Sequence, residues 1–74
     1  MKIRKHSIWY DKEYEEYEEY VTILEDRTYR EVMYSRFLVY SSLQYLTFTY
    51  DLEYIRENCI LIFENREEEI LYDN

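Results

Sequence analysis

The sequence predicts an α+β fold, with one or two helices packed on a small antiparallel sheet. In the first half of the chain, apolar residues recur at helical spacing, whereas after Leu46 they follow the strict alternation of a strand. The chain has 74 residues, which is the length of one small domain, and we expect residues 1–74 to form it.

The first predicted helix spans about 11–24. Asp11 is a suitable N-cap, and Glu13 favours the helix N-terminus. The apolar residues follow the i, i+4, i+7 spacing that lines one face of a helix: Tyr10, Tyr14, Tyr17, Val21 and Leu24.

The second predicted helix spans about 28–45. It begins with Thr28 followed by Glu31, the spacing of a capping box. Behind this box, large apolar residues gather on one side: Val32, Met33, Phe37, Tyr40 and Leu43.

Three strands are predicted in the second half, at about 46–54, 59–64 and 68–72. The first alternates apolar residues with Thr47, Thr49, Asp51 and Glu53, and the second is a continuous apolar run. Turns between them would form a three-stranded antiparallel meander, to which residues 2–9 could add a strand.

An all-α three-helix bundle is the alternative to this fold. Residues of the last third also fall on one helical face, so the chain could end in a third helix: Leu52, Ile55, Cys59, Ile62, Phe63, Arg66 and Ile70. The sequence leaves both folds open.

Charge restricts the partners of this chain. Its formal net charge is −8, and the acids are concentrated in residues 11–26 and 51–74. Such a chain is repelled by nucleic acid and anionic membranes and attracted to basic proteins. We therefore expect no direct nucleic-acid binding, no membrane association and a basic protein as the partner.

A short chain has a thin core and commonly needs a disulfide, a metal or self-association. The single Cys59 excludes an internal disulfide, and one histidine makes a structural zinc site implausible. We expect no metal and no cofactor, and we expect a homodimer supported by the eleven tyrosines. The free cysteine and the absence of an apolar leader or a membrane span predict a cytoplasmic protein.

No catalytic apparatus is indicated, so we expect no enzyme. The acidic runs look exposed, whereas paired catalytic carboxylates need a cleft in which burial raises one pKa. The chain has no glycine, which excludes a glycine-rich phosphate loop and an EF-hand loop. The basic residues near the N-terminus, Lys2, Arg4 and Lys5, are expected to pair with the acidic helix of the same chain or of a dimer mate.

Two acidic blocks form the candidate binding site. On a helix, residues three and four apart are neighbours, so the first block would be a dense carboxylate cluster that lowers helix stability. A solvated face that keeps a small protein soluble is the structural alternative. The candidate partner-binding residues are Glu13, Glu15, Glu16, Glu18, Glu19, Glu67, Glu68 and Glu69, with Tyr17 and Tyr20 as neighbouring aromatic contacts.

These two blocks, the length and the many tyrosines resemble the small acidic phage-encoded proteins that mimic DNA and disable host factors. The resemblance implies a protein that occupies the DNA-binding surface of a basic host protein, such as a nucleoid protein, polymerase, repair or defence enzyme, in the host cytoplasm. The alternative is a structural or adaptor protein with a tyrosine-rich interaction face, which would include Tyr50 and Tyr54.

Overall fold

The computed structural model describes residues 1–14, 16–28 and 36–74, which form seven strands and one short helix. In chain order these are β1 (Lys2–Arg4), β2 (Ile8–Asp11), β3 (Glu19–Asp26), β4 (Arg36–Ser41), β5 (Leu46–Asp51), α1 (Leu52–Asn58), β6 (Cys59–Phe63) and β7 (Ile70–Asp73).

Five of the strands form one antiparallel sheet in the order β5-β4-β3-β2-β6. Because neighbours alternate in direction, the two edge strands β5 and β6 run the same way. Strands of the same direction cannot be joined by a tight hairpin, and here α1 makes the crossover between the two edges.

Alternation along the central strands decides which face of this sheet is buried. Val21 and Ile23 of β3 and Phe37 and Val39 of β4 are fully buried. The residues between them, such as Thr22, point to the opposite side and remain partly exposed. We call these two sides the inner face and the outer face.

The inner face is covered by α1 and by a two-stranded sheet of β1 and β7. Ile55 of α1 and Ile3 of β1 are fully buried there, and the ring of Tyr72 meets that of Phe37 edge-on at 6.4 Å. Together these elements enclose the hydrophobic core, which consists of Ile3, Trp9, Val21, Ile23, Phe37, Val39, Ile55 and Cys59.

The helix α1 has seven residues and depends on this packing. Glu53 lies in its first turn and Arg56 in its last, which suits the helix dipole, and their side chains pair at 3.2 Å. A helix this short is marginal in isolation. The burial of Ile55 is therefore its main source of stability.

In the described ranges, three turns place non-glycine residues in the left-handed region. His6, Tyr45 and Asn65 have φ angles of 60°, 57° and 57°. Asparagine tolerates this conformation, whereas a bulky side chain loses about 1–2 kcal/mol in it. At Tyr45 this conformational cost is offset least, because its exposed ring gains little from packing.

The helix predicted over 11–24 is wrong. The segment holds the end of β2, a connecting loop and most of β3. Val21, Thr22 and Ile23 are β-branched and favour a strand, and the crowded carboxylates disfavour a helix. The alternation of β3 is hidden because its first inward residue is an acid, Glu19.

The helix predicted over 28–45 is wrong wherever the structure describes it. Phe37, Val39 and Ser41 alternate inward along β4, and residues 42–45 form a turn. The remaining part of that prediction, including Val32 and Met33, lies in residues 29–35, outside the described residues.

The three-stranded meander and the three-helix bundle are both wrong. The predicted strands 46–54, 59–64 and 68–72 overlap β5, β6 and β7, but these strands do not pair with one another. Instead β5 pairs with β4, β6 with β2 and β7 with β1, so that Cys59 lies opposite Asp11 and Asp73 opposite Lys2. The pairs β6–β2 and β7–β1 join strands that are far apart in sequence, so they leave no local pattern.

Candidate functional site

The loop between β2 and β3, described at residues 12–14 and 16–18, carries most of the first acidic block. Glu13, Glu16 and Glu18 are exposed in it, while Glu15 lies outside the described residues. Within the described part of the chain, no ion pair reaches Glu16 or Glu18. Their carboxylates are therefore open to an external cation.

The turn of residues 42–45 lies beside this loop. Ser42 N donates to Tyr20 O at 2.9 Å, and Tyr20 N donates to Ser42 Oγ at 3.1 Å. Gln44 Nε2 also approaches Glu19 Oε2 at 3.4 Å. These contacts hold the turn against the start of β3, and we call loop 12–18 and turn 42–45 together the acidic end.

Aromatic rings are displayed at the acidic end. Tyr45 is 77% exposed and Tyr17 is 62% exposed, and Tyr14 is exposed as well. Tyr45 also holds the costly left-handed backbone described above. A strained, exposed aromatic residue contributes little to folding, and an observed backbone outlier of this kind points to a role in function.

Two predicted site residues do not belong to this exposed surface. Glu19 is fully buried on the inner face, where it cannot meet a partner. Tyr20 lies on the outer face, half-buried, with its ring 5.5 Å from that of Tyr10.

Glu19 instead belongs to a buried chain of carboxylates and tyrosines. The Tyr50 hydroxyl lies 2.8 Å from Glu19 Oε1 and 3.0 Å from Asp11 Oδ2. The Tyr54 hydroxyl lies 2.7 Å from Asp11 Oδ2 and 2.6 Å from Glu13 Oε2. Each hydroxyl has a single proton, so it donates to one carboxylate at a time.

This environment keeps the neighbouring groups protonated. Burial, reinforced by hydrogen bonds to the carboxylates, raises the pKa of Tyr50 and of Tyr54 far above the ordinary value. Burial, with the charges of Asp11 and Glu19, raises the pKa of the Cys59 thiol to about 12. The hydroxyls of Tyr50 and Tyr54 are therefore engaged by carboxylates of the same chain, while both rings remain partly exposed.

An open groove of about 280 Å³ adjoins this chain of acids and tyrosines. Its volume falls just below the range of roughly 300–1,000 Å³ typical of small-molecule sites. The groove is lined by Glu13, Tyr14, Gln44, Phe48, Thr49, Tyr50, Asp51 and Tyr54.

The second acidic block lies at the opposite end of the sheet. Asp11 pairs with Cys59 at the start of β6, and Ile8 pairs with Phe63 at its end, so the turn after Phe63 is far from loop 12–18. Glu67 and Glu69 are exposed in that turn.

The chain's own basic residues surround this second block. Glu68 Oε1 lies 3.1 Å from His6 Nδ1, and the Glu64 carboxylate pairs with Arg66 at 3.0 Å and with Arg4 at 3.6 Å. The hydrogen bond from Arg66 lowers the pKa of the Glu64 carboxyl. The predicted site is thus divided between the two ends of the sheet, and of its second block only Glu68 contacts a basic side chain within the described residues.

The outer face of the five-stranded sheet is uncharged at its centre, a feature that the sequence pattern does not predict. Tyr10 of β2 pairs with Tyr20 of β3, and Thr22 lies between Ile8 and Tyr40. All five are only partly buried or exposed. The outward-facing charges are confined to one border of the sheet: Glu25, Arg36 and Asp51.

In the described ranges, no three His, Cys, Asp or Glu side chains are grouped closely enough to hold a metal ion. The described part of the chain also has no helix of the length and apolar character needed to cross a membrane. No protein family matches this sequence, and neither a curated protein nor a solved structure is similar to it.

Proposed function

We propose that this chain is a non-enzymatic binding protein whose acidic end docks on the basic DNA-binding surface of another protein and competes there with DNA. The observation that carries the proposal is the acidic end itself. There, Glu13, Glu16, Glu18 and Tyr17 are exposed in the loop, and Tyr45 is exposed in the adjoining turn.

The contacts would combine charge and ring surface. Carboxylates accept charge-assisted hydrogen bonds from lysine and arginine, as phosphates do. An exposed tyrosine ring adds a cation–π partner for arginine. The strained backbone of Tyr45 supports this use of the ring, because folding alone does not favour it.

A paired set of variants tests the proposal. The protein is used to capture partners from a bacterial lysate, and each captured protein is purified for direct affinity measurements. Replacing Glu13, Glu16 and Glu18 together by glutamine should weaken binding roughly tenfold to a hundredfold, since each exposed charge pair contributes up to about 1 kcal/mol. Glutamine preserves an acceptor for the Tyr54 hydroxyl.

The matched control changes the same number of charges at the other end. Glutamine at Glu67, Glu68 and Glu69 should alter the affinity less than about threefold. Equal losses from both sets would mean that only net charge matters and would refute a site at the acidic end. Duplex DNA added at constant salt should displace the protein from its partner. A complex indifferent to DNA would remove the competitive part of the proposal.

The uncharged outer face supports a second candidate function, an adaptor that binds an apolar protein surface. Antiparallel sheets that face water are usually polar on that side, and here Tyr10, Tyr20 and Tyr40 take those positions. A Tyr40→Lys variant should abolish adaptor binding and leave acid-dependent binding unchanged. Loss of binding with Tyr40→Lys but not with the glutamine set would favour the adaptor.

A further inference from the structure

Strand β6 is an edge strand of the five-stranded sheet. Among the described residues it has a neighbour strand on one side only, because it stands last in the strand order. Edge strands are commonly protected by lysine, proline, an inward-pointing charge or a β-bulge. The sequence of Cys59–Phe63 contains no lysine, proline or charged residue, and its register irregularity is confined to the part between Leu61 and Phe63. The edge of β6 that does not face β2 therefore presents main-chain hydrogen-bond donors and acceptors to a further strand.

The side chains of β6 are also exposed to solvent. Ile60, Leu61, Ile62 and Phe63 are each between 40% and 56% exposed. Because successive residues of a strand point to opposite faces, the edge is apolar on both sides of the sheet. The other edge strand, β5, directs its aromatic residues inward and exposes threonines on the outer face.

The hydrogen-bond pattern identifies the main-chain groups that are open. Lys12 N donates to Asn58 O at 2.8 Å, so this pair is hydrogen-bonded. Hydrogen-bonded pairs recur at every second residue of an antiparallel ladder, which makes Ile60 and Tyr10 the next such pair. The N–H and C=O of Leu61, one residue further on, consequently point to the open side.

We propose that a second copy of this chain pairs antiparallel with β6 about a two-fold axis at Leu61. In this register Leu61 lies opposite its own counterpart, Ile60 opposite Ile62, and Cys59 opposite Phe63. Every opposed pair is apolar, which is the self-complementarity that a two-fold interface requires. The pairing of β6 with β2 is regular from Cys59 to Leu61, and its register irregularity lies between Leu61 and Phe63, on one side of the proposed axis.

The flanking residues and the exposed area are consistent with a second copy of this chain at β6. Just outside the strand, Asn58 would face Glu64, so no like charges are opposed. The four half-exposed side chains offer roughly 300–400 Å² of apolar surface per chain, the size of the largest patch on a typical monomer. Two copies would bury less than the roughly 1,200 Å² of a stable complex, so we expect a weak and reversible dimer.

The net charge of the chain predicts how salt affects this dimer. Each copy has a net charge of −8, so the copies repel one another at low salt. Adding salt should therefore strengthen self-association, whereas it should weaken binding of the acidic end to a basic partner. The two proposals can consequently fail independently.

Sedimentation equilibrium from about 1 µM to about 1 mM tests the interface. Wild type should dimerise, and Ile62→Lys should raise the Kd at least about tenfold. Leu46→Lys on β5 is the matched control, because Leu46 is 58% exposed, Ile62 is 56% exposed, and both lie on edge strands. It should leave the Kd within about threefold, and circular dichroism should show both variants folded.

A monomeric wild type, an equal effect of Leu46→Lys, or weaker association at high salt would each overturn the proposal. Crosslinking tests the register. In a Cys59→Ser background, Leu61→Cys should form a disulfide dimer on mild oxidation, since opposed residues of a hydrogen-bonded pair lie about 5.5 Å apart. Leu46→Cys in the same background should not. Absence of the Leu61→Cys crosslink would reject pairing at this residue.

Discussion

Replacing Tyr50 by phenylalanine removes one hydroxyl from between two buried carboxylates and leaves the ring in place. The hydroxyl lies 2.8 Å from Glu19 and 3.0 Å from Asp11, and both acids are fully buried. It can donate to only one of them at a time, so the variant loses one hydrogen bond to a charged group, worth about 1.5–3 kcal/mol.

That loss is large for a chain of this size. A domain of this length has a free energy of unfolding of about 4–11 kcal/mol, and each kcal/mol corresponds to about 4–8 °C in Tm. We therefore expect Tyr50→Phe to lower the free energy of unfolding by about 2 kcal/mol and the Tm by roughly 10 °C. The assay is urea unfolding at neutral pH followed by circular dichroism, with a thermal scan beside it.

Tyr45→Phe is the control, because Tyr45 is exposed and its hydroxyl makes no hydrogen bond within the described residues. It should change stability by less than about 0.5 kcal/mol. A double-mutant cycle of Tyr50→Phe with Glu19→Gln should show coupling, since the neutral amide needs the hydroxyl less than the carboxylate does. If Tyr50→Phe proves as stable as Tyr45→Phe, the buried acids do not depend on tyrosine donors and the reasoning fails.

Three further predictions concern strain, the thiol and alkaline pH. Tyr45→Gly should raise the free energy of unfolding by about 0.5–1 kcal/mol in urea titrations, because glycine adopts the left-handed backbone conformation without steric cost. The same variant should bind the partner more weakly, because the ring is lost. A variant less stable than wild type would contradict this prediction. The Cys59 thiol, whose pKa is raised to about 12, should react with a disulfide reagent at pH 8 at least about a hundredfold more slowly than in urea, and equal rates would contradict its burial. The raised pKa values of Tyr50 and Tyr54 stabilise the fold fully below the unfolded tyrosine pKa of about 10, and this stabilisation is lost as pH rises above it. Unfolding free energies measured from pH 8 to pH 11 should fall less steeply for Tyr50→Phe than for wild type. Parallel curves would show that the ionisation of Tyr50 does not contribute to the pH dependence of stability.

Local patterns in the sequence located some elements and misplaced others for identifiable reasons. The alternation after Leu46 marks β5, because Phe48 and Tyr50 point inward between threonines. In residues 10–24 the tyrosines happen to follow helical spacing, while the true alternation of β3 begins with Glu19. A carboxylate counted as polar conceals an inward position, and only the distant Tyr50 hydroxyl explains why it is inward.

The candidate site was predictable only where it is local. The exposure of Glu13, Glu16 and Glu18 follows from their crowding in one short segment. The separation of the second acidic block does not, because it depends on β6 lying antiparallel to β2. Tyr45 was missed since neither glycine nor asparagine marks its turn, and the adjacent serines are a weak signal.

The pairing of the first strands with the last governs how this chain can acquire its structure. β2 gains its second neighbour only from β6, and β1 has β7 as its partner, so long loops must close before the core is sealed. Chains with such distant pairings fold in milliseconds to seconds, and the short α1 cannot act as an early nucleus. On the ribosome, Trp9 would remain uncovered on one side until Leu61 has emerged from the exit tunnel.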